Sequence, residues 1–528
     1  MRKRLLASLL AVLLAVLAIA PGLAEEGRTP FTVLAVRWTD AWPVDFLKQG
    51  IMKQLEDQAH VDITWDVRYN ADWSEQKSLL LASPDVLPDV LLGSICLNAA
   101  DISQNASYFV DLTPYITPEI MPNLCAAMEK EPALRAVCTS RDGKIYSLPK
   151  KLPLRPKVCG YDMYVNKDYL AALGMEVPTN LDELYAYLVA CGTKDPDGDG
   201  DPSNNFGLTG SASSYKMSDD CRYILRNFGT MVSRDNNYMG LDKDGKLTFV
   251  PVTENYKQAV KWMAGLWKDG AIDPEYFTQD GSAVTSKYQN PAGAQVGALF
   301  SWSQDSEVGL NAKQFAVTEA IEGYDGTHYV EAATYFLDLA DRELLITTKC
   351  QNVEAVLRWA DGFYTDMASL QTFYGSIPDQ IADNGDGTYT VTVPGDGSSL
   401  DTSAWSNSLR DFGPKYMTPD FYGKVILPED QGDGIKLGQD KLNAKYVTLD
   451  KNVGMPMVQY TEDELRELTA MNLDISSFVE QKYANWVTGV EDIDEGWDAY
   501  LQQLKDMQLD RYVKIQQQAY AVYLENMK

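Results

Sequence analysis

The chain has 528 residues, of which 45% are apolar and 23% charged, so it is long enough for two or three packed domains. Its formal net charge of −29 argues against nucleic acid or an anionic membrane surface as a partner, because both require a basic protein surface. The chain has only two histidines, His60 and His328, and no C-x-x-C pair among its seven cysteines. This composition disfavours a histidine-based hydrolase, a zinc enzyme or a thiolate metal site.

The first 24 residues have the pattern of a cleavable secretion signal. Three cations at positions 2–4 precede an apolar run, and small residues stand at 22–24, before the expected cleavage after Ala24. Cleavage would remove three cations and no acids, which takes the formal charge from −29 to −32. The first cysteine is Cys96, so no lipid anchor is expected beside the cleavage point. We therefore expect an extracytoplasmic protein, secreted, periplasmic or associated with the cell surface.

The next part of the chain alternates strand and helix patterns. Strands are predicted at 31–38, 61–69 and the end of 87–94, and helices at 44–58 and 73–82. This order predicts a sheet with helices on its faces. A turn that feeds a strand at 142–149 marks the crossing to the next part of the chain.

Further along, the pattern becomes more helical. Two helices are predicted between 165 and 194, the second with Thr179 and Asp182 as its capping box. An amphipathic helix at 255–270 carries Trp262 and Trp267, which we expect in the core. A strand at 295–302, a helix at 352–366 and a helical stretch from about 461 follow.

The segment DPDGDGDPSNN, residues 195–205, has the spacing of a calcium loop. Aspartates at every second position and a glycine at 200 fit the first seven positions of an EF-type loop, whose alternate side chains present oxygens to one ion. Position 12 is Phe206 rather than the bidentate glutamate, and no second helix is predicted. An acidic turn is the alternative, since Asp-Gly turns also occur at 242 and 383. We expect an ion because three carboxylates within five residues repel one another without a cation.

Taken together and in order, the segments resemble the extracellular sugar-binding proteins of ABC importers (solute-binding protein family 1). The resemblance rests on LPDVLLGS, YFVDLTPYI, DGKIYSLP, VNKDYLAALGMEVPTNLDELYAYLVACGTKDPDGDGD, GLWKDGAIDPEYFTQD, ITTKCQNVEAVLRWADGFYTD and YANWVTGVEDIDEGWDAYLQQLKDMQLDRYVKIQQQAY. It covers nearly all of the chain after residue 24, and it is closest to the subgroup of alginate-oligosaccharide-binding proteins and large sugar lipoproteins.

The resemblance implies an α/β, two-lobed periplasmic-binding-protein fold of the maltose-binding type, with a hinge and an interlobe cleft. The implied lobes are 31–150 with 335–375, and 151–334 with 376–528. It also implies a structural calcium ion at the acidic loop. The implied ligands are Asp195, Asp197, Asp199, Asp201, Asn204 and Asn205.

The function implied is capture of a sugar, most simply an oligosaccharide, by lobe closure and its delivery to membrane permease subunits by a monomeric protein. Sugars present a C–H face to aromatic rings and hydroxyls to polar side chains. The candidates for these contacts are Trp38, Asp40, Trp42, Trp73, Asn98, Gln104, Trp302, Tyr374 and Trp405. Trp302 ends an apolar strand and matches a stacking residue of the relatives, and Trp405 is placed in a loop.

Two other functions stay open at the level of sequence. A secreted, calcium-stabilised glycosidase or lyase would use paired carboxylates, but no spacing among the 75 acids singles out a pair. A calcium-stabilised surface adhesion protein is the third hypothesis. We expect no enzymatic activity, and the acidic balance favours a neutral sugar over a polyanion.

Overall fold

The computed structural model describes residues 27–152, 162–211, 219–232, 238–242, 245–301, 307–330, 339–396, 398–429, 432–446 and 455–528. The predicted secretion signal and Trp302 lie outside the described residues.

Strands are concentrated in the first two thirds of the chain. They are β1 Thr29–Arg37, β2 Val61–Tyr69, β3 Val90–Leu92, β4 Ser147–Lys151, β5 Asp162–Asn166, β6 Met231–Val232, β7 Met239–Leu241, β8 Leu247–Phe249, β9 Ala298–Ser301, β10 Phe315–Val317, β11 Leu339–Ile346, β12 Ile381–Asp383, β13 Tyr389–Val391, β14 Lys415–Tyr416 and β15 Val425–Ile426.

Helices connect these strands and form the C-terminal region. They are α1 Gly50–Gln58, α2 Asn70–Ala82, α3 Ala99–Gln104, α4 Pro122–Lys130, α5 Ala133–Cys138, α6 Lys167–Leu173, α7 Leu181–Thr193, α8 Asp219–Asn227, α9 Glu254–Lys268, α10 Gly281–Tyr288, α11 Val353–Asp361, α12 Asp366–Tyr374, α13 Leu400–Asn407, α14 Pro419–Tyr422, α15 Gly432–Asn443, α16 Glu462–Val487, α17 Ile493–Asp506 and α18 Leu509–Asn526. Short 3-10 turns join several of them.

A six-stranded sheet organises the N-terminal part of the structure. Its strand order is β14-β4-β11-β3-β1-β2. β1 pairs in parallel with both β2 and β3, because α1 and α2 carry the chain back between successive strands. β11 enters antiparallel between β3 and β4. The predicted β-α-β-α-β start of the fold is confirmed.

Two large apolar clusters are distinct in the described structure. The first packs around the six-stranded sheet and includes Val33, Leu92 and the fully buried Trp359. The second packs around the sheet β10-β5-β9 and joins α7 and α9 to the C-terminal helices α16, α17 and α18. Each cluster is a core of its own, and the predicted helical stretch from 461 belongs to the second. The predicted α/β class is confirmed.

Helix α7 begins one residue later than the sequence predicts. Asn180 is its N-cap, and the Asn180 side chain accepts a hydrogen bond from the backbone N–H of Glu183. The carboxylate of Glu183 accepts from the N–H and hydroxyl of Thr179. The capping box of Thr179 with Asp182 is therefore wrong by one position, because Asn is as good a cap as Thr and stands next to it.

The tryptophans of α9 pack as predicted. Trp262 lies edge-on to Tyr185 with ring centroids 5.7 Å apart, and Trp267 is tilted against Phe277 at 5.8 Å. Both rings are half-buried against the second core. Among the described residues, no helix combines the length and the apolar character needed to cross a bilayer.

Five cysteines of the described residues are free thiols, in different surroundings: Cys96, Cys125, Cys138, Cys191 and Cys350. Cys96, Cys138 and Cys191 are buried, and burial raises the pKa of each thiol to about 12. Cys125 is only half-buried. Because the thiolate is the reactive form, we expect iodoacetamide at about pH 8 to label Cys125 in the native protein and to leave the three buried thiols unmodified. Peptide mass spectrometry measures this, and equal labelling of Cys96 and Cys125 would contradict the packing described.

Candidate functional site

A cleft of about 760 Å³ lies between the six-stranded sheet and helix α16. β1 and β3 run in parallel, so their carboxyl ends open at the same edge of the sheet, which is where ligands bind in many α/β proteins. The residues that follow these two strands line one side, and α16 lines the other. The lining residues are Trp38, Ser94, Ile95, Ala99, Ala340, Arg342, Phe412, Met457, Val458, Tyr460, Leu465, Leu468, Thr469, Asn472, Leu473, Ser476 and Gln516.

A smaller cavity of about 250 Å³ adjoins the cleft, and the two share Ala99 and Tyr460. Its remaining lining is more polar: Ile102, Ser103, Ala106, Cys138, Ser140, Arg141, Asp142, Tyr146, Ser147, Asp341, Gln459, Thr461 and Glu462. An apolar cleft that continues into a polar recess suits a ligand with both C–H faces and hydroxyl edges.

Four aromatic rings form a continuous group beside the cleft, which we call the aromatic cluster: Trp38, Trp42, Trp405 and Phe412. Trp38 is tilted against Phe412 at 5.8 Å, Phe412 meets Trp405 at 5.7 Å, and Trp405 stacks on Trp42 at 5.0 Å with an interplanar angle of 11°. Trp38 is 46% exposed and lines the cleft, whereas Trp405 is 6% exposed. Trp38 therefore offers a face to a ligand, and the other rings support it.

Trp405 occupies a different element from the one predicted. It lies in helix α13 rather than in a loop, because Ser399 caps that helix by accepting from the N–H of Thr402. Its ring is covered on one side by Trp42 and approached by the guanidinium of Arg37, 5.4 Å from the ring centroid.

Buried charged side chains hold the segment 405–413 from below. The guanidinium of Arg37 donates to the carbonyls of Trp405 and Ser408, the latter at 3.1 Å. The ammonium of Lys150 donates to the carbonyl of Asp411, and that of Lys415 to the carbonyls of Phe412 and Gly413. These bonds fix the backbone that carries Trp405 and Phe412.

One carboxylate completes this arrangement. Glu343, which is fully buried, accepts from the N–H of Gly413 at 2.8 Å and lies 3.1 Å from the ammonium of Lys150. Burial lowers the pKa of Arg37 to about 10. Burial and the neighbouring charge of Lys150 lower the pKa of Lys415 to about 7.

Other predicted sugar contacts lie elsewhere in the structure. Trp73 is 5% exposed and donates its indole N–H to the carbonyl of Cys96 at 2.9 Å; Tyr374 is 2% exposed and donates to Asp433 at 2.9 Å. Both are core residues with no free ring face, contrary to the expectation. Asp40 is exposed in the turn between Trp38 and Trp42 and lines neither cavity.

Helix α3 lines the smaller cavity, but not through the predicted residues. Asn98 caps the helix by accepting from the N–H of Asp101 at 2.8 Å. Gln104 is exposed at the other end and lines neither cavity. Capping, rather than ligand contact, accounts for Asn98. Trp302 lies outside the described residues.

Several cleft residues were missed at the level of sequence, and a local sequence signal exists for Phe412 but not for three residues of α16. Phe412 precedes a Gly-Pro pair, which marks a turn, and that pair could have drawn attention to it. Leu465, Leu468 and Asn472 follow the ordinary spacing of a helix that packs on a core, so nothing separates them from core residues.

The acidic loop brings its first three aspartates together. Ligand oxygens of Asp195, Asp197 and Asp199 all lie within 4.8 Å of one another. Gly198 and Gly200 have φ of 73° and 93°, a conformation that glycine adopts without strain, and this makes the bend. Burial, with nearby carboxylates also contributing, raises the pKa of Asp197. Hard oxygen donors in one small space fit a calcium ion.

The remaining predicted ligands are placed less directly. Asp201 accepts from the N–H and hydroxyl of Ser203. Asn204 donates to Asp199 at 2.7 Å, so it borders the three aspartates. Asn205 is buried, donates to Asp197 at 3.2 Å and accepts from the hydroxyl of Tyr169. In this arrangement Asn205 anchors the loop to the second core.

Comparisons with known proteins find relatives that match almost the whole chain. The fructooligosaccharide ABC transporter substrate-binding protein FusA of Streptococcus pneumoniae is 27% identical over 511 residues, 92% of this chain and 89% of FusA. An HMO-binding, ABC-transporter-associated solute-binding protein of Bifidobacterium longum infantis is 25% identical and superposes with a TM-score of 0.79, covering 94% of this chain and 99% of the other. No protein-family model matches the chain.

The homologues of this chain are substrate-binding proteins of ABC transporters. The resemblance predicted from the sequence is thereby confirmed, and the predicted absence of enzymatic activity is supported, because these relatives are transport proteins.

Three further solved structures bear on the fold. FusA in complex with kestose superposes with a TM-score of 0.75 at 24% identity over 94% of this chain and all of FusA, and a second FusA structure is an EF-hand mutant with fructo-nystose. The alginate-binding protein AlgQ2 without calcium ion superposes at 0.67 and 19% identity, over 94% of this chain and 99% of AlgQ2. The predicted solute-binding-protein fold is confirmed.

Lys415 should make the free energy of unfolding depend on pH. Its folded pKa of about 7 lies below the ordinary 10.5, so between these values the unfolded chain binds a proton that the folded protein does not. Stability therefore rises with pH in this window. We expect the urea midpoint of the wild type to increase from about pH 7 to pH 9 by more than that of Lys415→Met.

Lys424→Met is the control for this comparison, because Lys424 is exposed. It should keep the wild-type pH dependence. An equal increase in all three proteins would show that Lys415 is not held in its neutral form.

Proposed function

We propose that the protein captures an oligosaccharide in the cleft and delivers it to the permease of an ABC importer. The observation that carries the proposal is the cleft itself, about 760 Å³, which opens at the carboxyl ends of parallel strands and exposes the face of Trp38. Homology to a fructooligosaccharide-binding and an HMO-binding protein supports a saccharide as the ligand.

Closure of two lobes is the proposed mechanism. Trp38 and Phe412 contact the ligand from the side of the first core, and residues of α16 contact it from the side of the second. A ligand that touches both sides stabilises the closed conformation by the sum of its contacts there. Proposed lobe one comprises 31–150 with 335–375, and proposed lobe two comprises 151–334 with 376–528. Tyr416 of strand β14 belongs to the first core, and β14 pairs with β4, which favours adding β14 to lobe one.

The acidic loop is proposed as a structural calcium site. Asp195, Asp197 and Asp199 supply converging carboxylates, and Asn204 lies beside them. The FusA EF-hand mutant and the calcium-free AlgQ2 structure are consistent with such a site in relatives. None of the loop residues lines either cavity, so the ion acts on stability rather than on the ligand.

The proposed location is outside the cytoplasm. Substrate-binding proteins of importers meet their ligand there, and the sequence predicts a secretion signal in residues 1–24. We propose a monomer, secreted, periplasmic or associated with the cell surface, whose signal is cleaved near Ala24. A carbohydrate-active enzyme and an adhesion protein, the alternatives from the sequence, have no support among the homologues.

Trp38→Ala tests the aromatic contact. Loss of a stacking ring should weaken binding of kestose or another bound oligosaccharide by about 1–3 kcal/mol, with the fold intact. Isothermal titration calorimetry measures the affinity and circular dichroism the fold.

Tyr324→Ala is the matched control. Tyr324 is 52% exposed and stacks on Phe228 at 6.1 Å, but it does not line the cleft. Its loss should leave affinity unchanged. If Trp38→Ala and Tyr324→Ala bind the sugar equally well, Trp38 is not part of the binding surface.

Calcium binding is tested by thermal unfolding. Because a ligand of the folded state stabilises it, excess calcium should raise the melting temperature and a chelator should lower it. The dissociation constant should be on the order of 10⁻⁴–10⁻³ M, since the bidentate glutamate is missing. Asp197→Ala with Asp199→Ala should abolish the dependence.

The Asp-Gly turn at 383 provides the control pair. Asp383→Ala with Asp386→Ala removes two acids from the hairpin between β12 and β13 and should preserve the calcium dependence. Identical melting of the wild type in calcium and in chelator would show that the loop is only an acidic turn.

A further inference from the structure

Strand β11 carries a charged bulge where the two cavities meet. Ala340 pairs with Lys150 and Leu344 with Leu148, so four steps along β11 correspond to two steps along β4. The extra residues are accommodated at Asp341, Arg342 and Glu343. Bulges re-aim side chains next to binding sites, and this one turns consecutive charged residues in different directions.

Arg342 has a backbone conformation that non-glycine residues rarely adopt. Its φ is 63°, in the left-handed region, and its N–H donates to the hydroxyl of Ser147 at 3.1 Å. The side chain lines the larger cleft. Holding a bulky residue in this conformation is unfavourable, and such conformations cluster at functional sites.

The guanidinium of Arg342 has unused donors. Its side chain makes no hydrogen bond to any residue that the structure describes, and its Nε is buried. The one ion pair it makes within the described residues is to Asp341, with Nε 3.4 Å from Oδ1. Buried donors without an acceptor are costly, so a ligand acceptor in the cleft would satisfy this group.

Asp341 is the complementary acceptor on the other side. It is 2% exposed and lines the smaller cavity. Oδ2 accepts from the amide of Gln459 at 2.6 Å, which fixes the carboxylate. Oδ1 is buried and accepts no hydrogen bond from a described residue. Among the described residues this oxygen has the 3.4 Å ion pair with Arg342 but no hydrogen bond, so it can still accept from an O–H donor.

We propose that Asp341 and Arg342 form a recognition pair for neighbouring hydroxyls of a neutral sugar ring, at the junction of the two cavities. One hydroxyl donates to Asp341 Oδ1, and the adjacent hydroxyl oxygen accepts from the guanidinium of Arg342. The partly buried ring of Tyr460, which lines both cavities, lies at this junction. This inference rests on the proposed function and names the residues that select its ligand.

The pair favours a neutral sugar over a uronate. A carboxylate ligand would be attracted to Arg342, but it would compete for that guanidinium with the Asp341 carboxylate and be repelled by it, because Oδ1 of Asp341 lies 3.4 Å from Nε of Arg342. A hydroxyl serves as donor and acceptor at once and satisfies both groups. The pair therefore sets the chemical class of the sugar unit bound at the junction.

Arg342→Gly separates recognition from backbone structure. Glycine tolerates φ of 63°, and this gain opposes the loss of the ion pair with Asp341, so this variant should still fold and unfold close to the wild-type temperature. It removes every side-chain donor, so affinity for the best neutral ligand among kestose, nystose, maltotetraose and a milk tetrasaccharide should fall about tenfold or more. Gln508→Gly is the matched control: Gln508 has φ of 65°, is exposed and lines neither cavity.

Asp341→Asn tests the acceptor and the selectivity. The wild type should bind digalacturonate at least about tenfold more weakly than its best neutral ligand, and this variant should narrow the difference. Calorimetry measures each affinity, with the melting temperature of each variant as the check on folding.

The outcomes distinguish this pair from the proposed function as a whole. Wild-type affinity in Arg342→Gly, or digalacturonate bound by the wild type as tightly as a neutral sugar, overturns the pair and leaves oligosaccharide capture standing. Failure of the wild type to bind any member of the set overturns the proposed function and the pair with it. Loss of affinity in Arg342→Gly but not in Gln508→Gly supports the pair.

Discussion

Buried hydrogen bonds beneath the segment 405–413 are the constraint on which the binding surface depends. Arg37, Lys150 and Lys415 donate to backbone carbonyls of this segment, and Glu343 accepts from one of its N–H groups. Charges withdrawn from water are tolerated only where they are bonded in this way, so the segment is held in one conformation. Phe412 and Trp405 are thereby fixed, and they in turn support the exposed face of Trp38. A rigid aromatic surface spends little conformational entropy when a sugar binds.

Glu343 connects the aromatic cluster to the β11 bulge, which lies near the segment that leads into α16. Glu343 belongs to the β11 bulge that also carries Asp341 and Arg342. Gln459, in the segment before α16, donates to Asp341 and to the carbonyl of Val137, so it links the segment that leads into α16 to the first core. A ligand at this junction would contact the elements that connect the two cores. In the proposed mechanism, a small set of adjacent residues would therefore couple sugar binding to lobe closure.

Sequence patterns predicted the helices and strands well. They predicted candidate site residues only where the type of side chain and its local sequence position indicate a role. The strand at 61–69 and the helix after 461 follow from periodicity, and three members of the aromatic cluster were expected at the cleft. Trp73 and Tyr374 carry the same side-chain chemistry as a stacking residue, and only tertiary packing shows that they are buried. Asp341 and Arg342 were missed, because a bulge depends on the register between β11 and β4, which lie far apart in the chain. The N-cap of α7 was predicted at Thr179, one residue before the observed cap Asn180, because Thr and Asn are both good caps and stand side by side.

A crystal structure of the protein with its best-bound neutral oligosaccharide tests the central claim most directly. We expect the sugar in the cleft between Trp38 and helix α16, with a ring on the indole face, hydroxyls at Asp341 and Arg342, and the two cores closer together than without ligand. A sugar bound elsewhere, or one in contact with only one of the two cores, would contradict capture by closure of this cleft.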